Sequence, residues 1–369
     1  MSHDSVLTDR SSLHKRKLWI AICGTAFIAI FAGIPFWRLQ SSDLRKAENS
    51  LRQAERLASE GRERDAIAAI NEVANPADFD AEKLIDLASA AEQQDMKSLA
   101  TRLLRAANHR GPMQEEALRK LISLQWELED FSSVLSACEE LSKLAPTDTM
   151  PWLVSAGIYH ENEKVAEALN AYHQALRLNP PKTEIARVRY QIAELSLFTG
   201  DLKTARQMVD PILVTDPDSL DFALIHARLL RQEGKPQEQL AVVNRILMKQ
   251  PNHNLALMMR GENYLDSGFY QKALDDFAKV VQSNPFDYQA HYKLALAYQR
   301  AGDKPKAEDH FAKSNHLTEI ISKTQVLLFQ VQQDPNNRRL RLELAKLSEM
   351  QGDQETAEYW KASAKNLPD

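Results

Sequence analysis

The sequence predicts an all-α chain: a solenoid of helix-turn-helix repeats behind one N-terminal transmembrane helix. Three observations lead there. Good helix formers dominate a chain of 369 residues with only 11 glycines and 7% aromatics, and no Val/Ile/Thr run alternates with polar residues between turn signals, so strands are not expected. Prolines recur at a fixed interval through the middle of the chain. Finally, LWIAICGTAFIAIFAGIPFW, residues 18–37, carries no charge.

That apolar run defines the first elements. As a helix it rises about 30 Å, the thickness of a bilayer's hydrocarbon layer. Trp19 and Trp37 stand near its ends, where amphipathic rings prefer the headgroup level. The run is longer than a signal-peptide core and lacks a small-x-small exit, so it reads as an uncleaved anchor after a basic tail, residues 1–17. The cluster at His14–Lys17 argues for a cytoplasmic N-terminus and extracytoplasmic repeats, although Arg38, Arg45 and Lys46 beyond the run weaken the asymmetry. In a bacterium the repeats would then be periplasmic. Residues 38–46 read as a linker into the first helix.

Residues 47–316 are organised by a period. Pro112, Pro146, Pro180, Pro217, Pro251 and Pro285 lie 34, 34, 37, 34 and 34 residues apart. With each proline at position 32 of its unit, units start at Ala47, Ala81, Glu115, Thr149, Ala186, Leu220, Asn254 and Tyr288, and a last one at Arg338. Position 8 is then small in every unit but that of Ile122, position 20 is mostly Ala, and position 15 is Gly at Gly61, Gly200, Gly234, Gly268, Gly302 and Gly352. Small residues let two antiparallel helices approach, glycine ends the first helix in the left-handed conformation, and proline stops the second. Large residues at positions 11 and 24 fill the seam.

With Trp or Leu at 4, Gly or Ala at 8, Tyr at 11, Ala at 20, Phe or Tyr at 24 and Pro at 32, the pattern resembles the tetratricopeptide repeat. Trp152, Ala156, Tyr159, Ala168, Tyr172, Ala175 and Pro180 carry it in one unit; Gly261, Tyr264, Ala273, Phe277 and Pro285 in a second; Ala295, Tyr298, Ala307 and Phe311 in a third. The resemblance covers nearly everything after the anchor and implies a right-handed α-solenoid. Its departures are informative. Ile122, Val134 and Cys138 at signature positions predict less regular packing, and Pro211 falls inside a second helix, where it should kink it. Residues 317–337 contain an insertion into the period before Arg338 and read either as an extension of the preceding helix or as a separate one. Residues 338–369 read as a C-terminal capping repeat.

No constellation of catalytic, cofactor-binding or metal-ligating residues has adequate specificity. There is no phosphate-binding glycine loop, no His-Glu-x-x-His, no calcium loop and no paired Cys-x-x-Cys. The net charge of −5 offers no footprint for nucleic acid. Cys23 and Cys138 read as buried thiols, and His310 and His316 are poorly spaced for one helix face. An enzyme is therefore not expected.

The resemblance implies instead a concave groove lined by positions 2, 5, 9 and 12 of the first helices. Here those are Trp126, Met150, Leu153, His160, Arg187, Tyr190, Glu194, Arg228, Arg231, Leu255, Met258, Glu262, Leu265, Tyr292 and Leu296. Trp, Tyr, Met and Arg are the residues of binding hot spots; some of these side chains could equally serve only to contact the adjacent unit. Family members that clamp a peptide's terminal carboxylates use Lys at position 5 and Asn at position 9, and no unit here has either. The expectation is a membrane-anchored, non-enzymatic scaffold binding protein or peptide partners by apolar contact, with envelope assembly as one setting. The alternative is an accessory component of polysaccharide or cell-wall polymer export. A homo-oligomer is possible without being indicated.

Overall fold

The structure, a computed structural model, describes residues 81–365 apart from 94 and 109–113, together with 53, 56, 57, 62, 65 and 367. The apolar run 18–37, its flanks and Cys23 lie outside these residues. Among the described residues no helix is long and apolar enough to cross a membrane, and every regular element is a helix. They fall into two compact units, divided between Ala137 and Cys138.

In the first unit α1 (Ala81–Gln93) packs on α2 (Lys97–Asn108), and α2 on α3 (Gln114–Glu127). Leu84, Leu99, Leu104, Leu121 and Leu124 form its core around Ala88 and Ala100, the small residues of positions 8 and 20. Helix α4 (Phe131–Leu144) straddles the division. Ile122, Val134 and Cys138 are all buried, as the small signature residues are elsewhere. Burial also pushes the Cys138 thiol up to about 12, so it is an inert packing group.

The second unit continues with paired helices: α5 (Met150–Glu161) with α6 (Val165–Arg177), α7 (Lys182–Thr199) with α8 (Leu202–Thr215), α9 (Leu220–Gln232) with α10 (Pro236–Lys249), α11 (Asn254–Asp266) with α12 (Tyr270–Ser283), and α13 (Tyr288–Ala301) with α14 (Lys304–Gln333). Each second helix also packs on the next first helix, so this unit is a solenoid of paired helices. The single interval of 37 is absorbed at the start of α7, which has 18 residues and begins four before its frame, with Pro181 as N-cap.

Position 15 is left-handed in every described unit. Gly200, Gly234, Gly268, Gly302 and Gly352 have φ between +72° and +90°, and Asp95, Glu129 and Glu163 occupy the same place at +59°, +56° and +58°. The next amide reaches back to close the helix end: Lys164 N donates to Tyr159 O at 2.9 Å, and Phe269 N to Tyr264 O at 2.8 Å. The backbone need is thus common to all units, and only its residue varies. Because a side chain resists this conformation, Glu129→Gly and Glu163→Gly should each stabilise the chain by about 1 kcal/mol, a gain that denaturant titration would reveal.

Pro211 does not end α8, which runs on to Thr215. A proline there leaves the carbonyl of Gln207 without its usual amide partner, and Arg189 Nη1 of α7 donates to that carbonyl at 3.1 Å. Losing that bond in Arg189→Ala should cost about 1 kcal/mol, and much less in a Pro211→Ala background, where the amide returns. A thermal-melt cycle over the four chains checks this coupling.

Residues 317–333 form no separate helix. They continue α14, whose 30 residues rise about 45 Å. Where Leu274 of α12 is buried against the next unit, Glu308 and Asn315 on the early turns of α14 are exposed. Helix α15 (Arg338–Met350) instead returns along the extension, with Gln351 Nε2 donating to Thr324 Oγ1 at 2.9 Å, and pairs with α16 (Gln354–Lys365).

Candidate functional site

The first helices of the second unit lie side by side, with α7 touching α9 and α11 touching α13. Their shared face brings several of the expected groove residues together through charge. Glu194 of α7 pairs with Arg228 of α9. Arg231 of α9 pairs with Glu262 of α11 and, at 3.4 Å, with Asp266. Glu262 also receives Lys293 of α13 at 2.7 Å. Each pair joins neighbouring units, and the three carboxylates and three cations so paired balance one another. At half-exposed sites such bonds are worth only about 0.2–1 kcal/mol apiece, so their main effect is to align the helices and satisfy the local charges.

Apolar side chains fill the spaces between. Leu255 and Tyr292 are exposed by 48% and 45%, and Tyr292 meets Phe311 edge-on with centroids 5.6 Å apart. Met258 and Leu265 are half-buried, packed on the cluster of Leu274, Phe277 and Leu294, and Leu296 of α13 is half-buried as well. Tyr190 is half-buried, its ring edge-on to Phe222 at 6.0 Å; burial first, then Glu194 and Asp221, push its hydroxyl up to about 12. It is a neutral donor at any physiological pH.

The remaining expected residues sit differently. Leu153 is only 9% exposed and belongs to the core with Ile192 and Ala193, so it serves as a packing residue. Met150 and His160 are half-buried on α5, His160 edge-on to Tyr172 at 6.4 Å. Arg187 pairs within its own helix, Nε to Glu184 at 2.7 Å. Trp126 lies in the first unit, half-buried against Phe131 at 5.4 Å.

Asp266, Lys293 and Phe311 were not among the expected residues. Opposite charges 31 or 34 residues apart on consecutive first helices, as in 194/228, 231/262 and 262/293, are the sequence signal that would have found the pairs. Among the described residues no three His, Cys, Asp or Glu side chains are grouped to hold a metal ion.

Comparison with known proteins follows the same lines. A tetratricopeptide repeat family model matches residues 258–315. Over 105 residues the chain is 26% identical to anaphase-promoting complex subunit 3 of Schizosaccharomyces pombe, covering 28% of this chain and 16% of that one. Over 125 residues it is 30% identical to the cytochrome c-type biogenesis protein CycH of Rhizobium meliloti, covering 33% of this chain and 32% of that one. The chain thus spans a third or less of the length of these curated relatives. A tetratricopeptide repeat protein from Parabacteroides merdae, of solved structure, is 20% identical with a TM-score of 0.47, covering 64% of this chain and 93% of that one. The unit around Gly261, Tyr264, Ala273 and Phe277 is therefore a tetratricopeptide repeat by sequence as well as by its paired helices.

Proposed function

We propose that this chain is a membrane-anchored, non-enzymatic scaffold that captures protein or peptide partners on the first-helix face of α7 to α13. One observation carries the reading. The paired charges of that face balance along Glu194–Arg228 and Asp266–Arg231–Glu262–Lys293, and Leu255 and Tyr292 stay exposed beside Met258 and Leu265. Such a surface selects apolar and aromatic side chains and gives little attraction to a charged chain terminus. The uncharged run at 18–37 supports an anchor, with the repeats on the extracytoplasmic side. The similarity to a cytochrome c-type biogenesis protein favours a role in assembling envelope proteins over polymer export.

The test is a peptide library screened against the full-length protein. Enriched sequences should be apolar or aromatic, and their binding should change little between low and high salt. Tyr292→Glu with Leu255→Glu should weaken them at least tenfold, about 1.4 kcal/mol, whereas Lys279→Glu on the exposed side of α12 should not. Equal loss in both variants, or no loss in either, would remove the face from the account. Protease protection in cells stripped of their outer layers tests the topology: resistance of the repeats would reverse it.

A further inference from the structure

The pair His291 and His310 is used neither by the core pattern nor by the candidate face. His291 is 4% exposed at position 4 of its unit, where other units place Trp152 or Leu257. Its Nε2 lies 3.0 Å from the carbonyl oxygen of Pro285, and its Nδ1 lies 2.9 Å from Nδ1 of His310 on α14. A carbonyl only accepts, so Nε2 of His291 carries the hydrogen and its Nδ1 is the acceptor. The hydrogen between the rings then belongs to His310 Nδ1. Tyr298 lies stacked on the His310 ring, centroids 5.7 Å apart.

We propose that His291 and His310 form an acid-sensitive clasp between α13 and α14, closed at neutral pH and opened as protons bind. One further proton can enter at His310 Nε2 with the contact intact. Burial opposes it first, then His291 and Lys313, while Asp309 favours it. A second would have to enter at His291 Nδ1, opposite an N–H donor 2.9 Å away on an already charged ring, and that contact must break. The surrounding charges do not relieve this. Asp309 is paired with Lys313 at 2.8 Å, and Lys306 lies over Tyr298 and pairs with Asp303. On α12, the carboxylate of Asp276 is taken by Arg260.

The sign follows. Folded His310 takes up its proton less readily than a free histidine, whose ordinary value is about 6.5. The clasp's contribution is therefore complete above that pH and lost as pH falls through it. Opening would loosen α13, which carries Tyr292 and Lys293, and α14, which carries the terminal hairpin. The clasp stands whether or not the first-helix face binds a partner.

The test is amide hydrogen exchange on the full chain at pH 7.5 and 5.0, expressed as protection factors so that intrinsic exchange cancels. Protection across 291–316 should fall by about tenfold or more at pH 5.0 relative to α9 and α10, one titration step's worth. In His310→Asn, which cannot titrate and whose amide can turn its oxygen toward a protonated His291, the two regions should respond alike. An equal response of both regions in the unmodified chain, or an unchanged response in the variant, overturns the clasp. Should His310→Asn not fold, ring-proton titration of the unmodified chain decides. Protonation of His310 below the ordinary histidine value supports it, and two independent ordinary titrations reject it.

Discussion

Truncating Phe277 to alanine is expected to destabilise the chain by about 4 kcal/mol. The ring is fully buried and is among the largest side chains so enclosed. It lies against Gly261, where an added methyl group would come within 2.5 Å of Phe277 Cε1. The glycine is therefore a close-approach position, set by the ring across the seam and not by its own backbone, since its φ is not positive. Gly261→Val should overpack the same seam and cost about 2–3 kcal/mol. The two costs should not add, because removing the ring makes room for the new side chain. Denaturant titration of the single and double variants checks this, and strict additivity would contradict the packing account.

Asp276→Ala should cost about 3 kcal/mol. Asp276 is 3% exposed and accepts both arms of Arg260, Nε at 2.8 Å and Nη2 at 2.7 Å, while Arg260 Nη1 reaches Asn244 Oδ1 at 3.0 Å. The bond ties α10, α11 and α12 together, and removing the carboxylate leaves a guanidinium with one neutral partner. Replacing both members, as Arg260→Met with Asp276→Leu, should cost far less, since the desolvation of the charges disappears with them. Thermal melts of the single and double variants beside the unmodified chain separate the cases. If the double variant is as unstable as the single one, the penalty lies in lost shape and not in a stranded charge.

Much of the fold was legible because a repeat states each requirement several times. Position 8 beside position 24 encodes a distance between helices, and Gly261 against Phe277 shows the code at work. Glycine at position 15 encodes a sign of φ, but Glu129 and Glu163 meet the same demand without announcing it. The partner of the Gln207 carbonyl that Pro211 leaves open, Arg189, was not legible, because it comes from another helix 18 residues earlier. Leu153 shows the limit for the candidate site. Its position number places it on the open face, yet it packs into the core with Ile192 and Ala193. The ion pairs across 194/228 and 231/262 were legible in principle, since both partners were on the expected face; what was missing was the register between units, which the 34-residue period supplies.

The central claim is that partners sit on the first-helix face of α7 to α13. Site-specific photocrosslinking tests it most directly, with a photoreactive residue placed singly at Leu255, Tyr292 and, as a control, Lys279 in the full-length protein in its native cells. The account predicts shared adducts from Leu255 and Tyr292, lost when Met258 is changed to glutamate, and none of those adducts from Lys279. Adducts from Lys279 that match or exceed those from Tyr292 would contradict it.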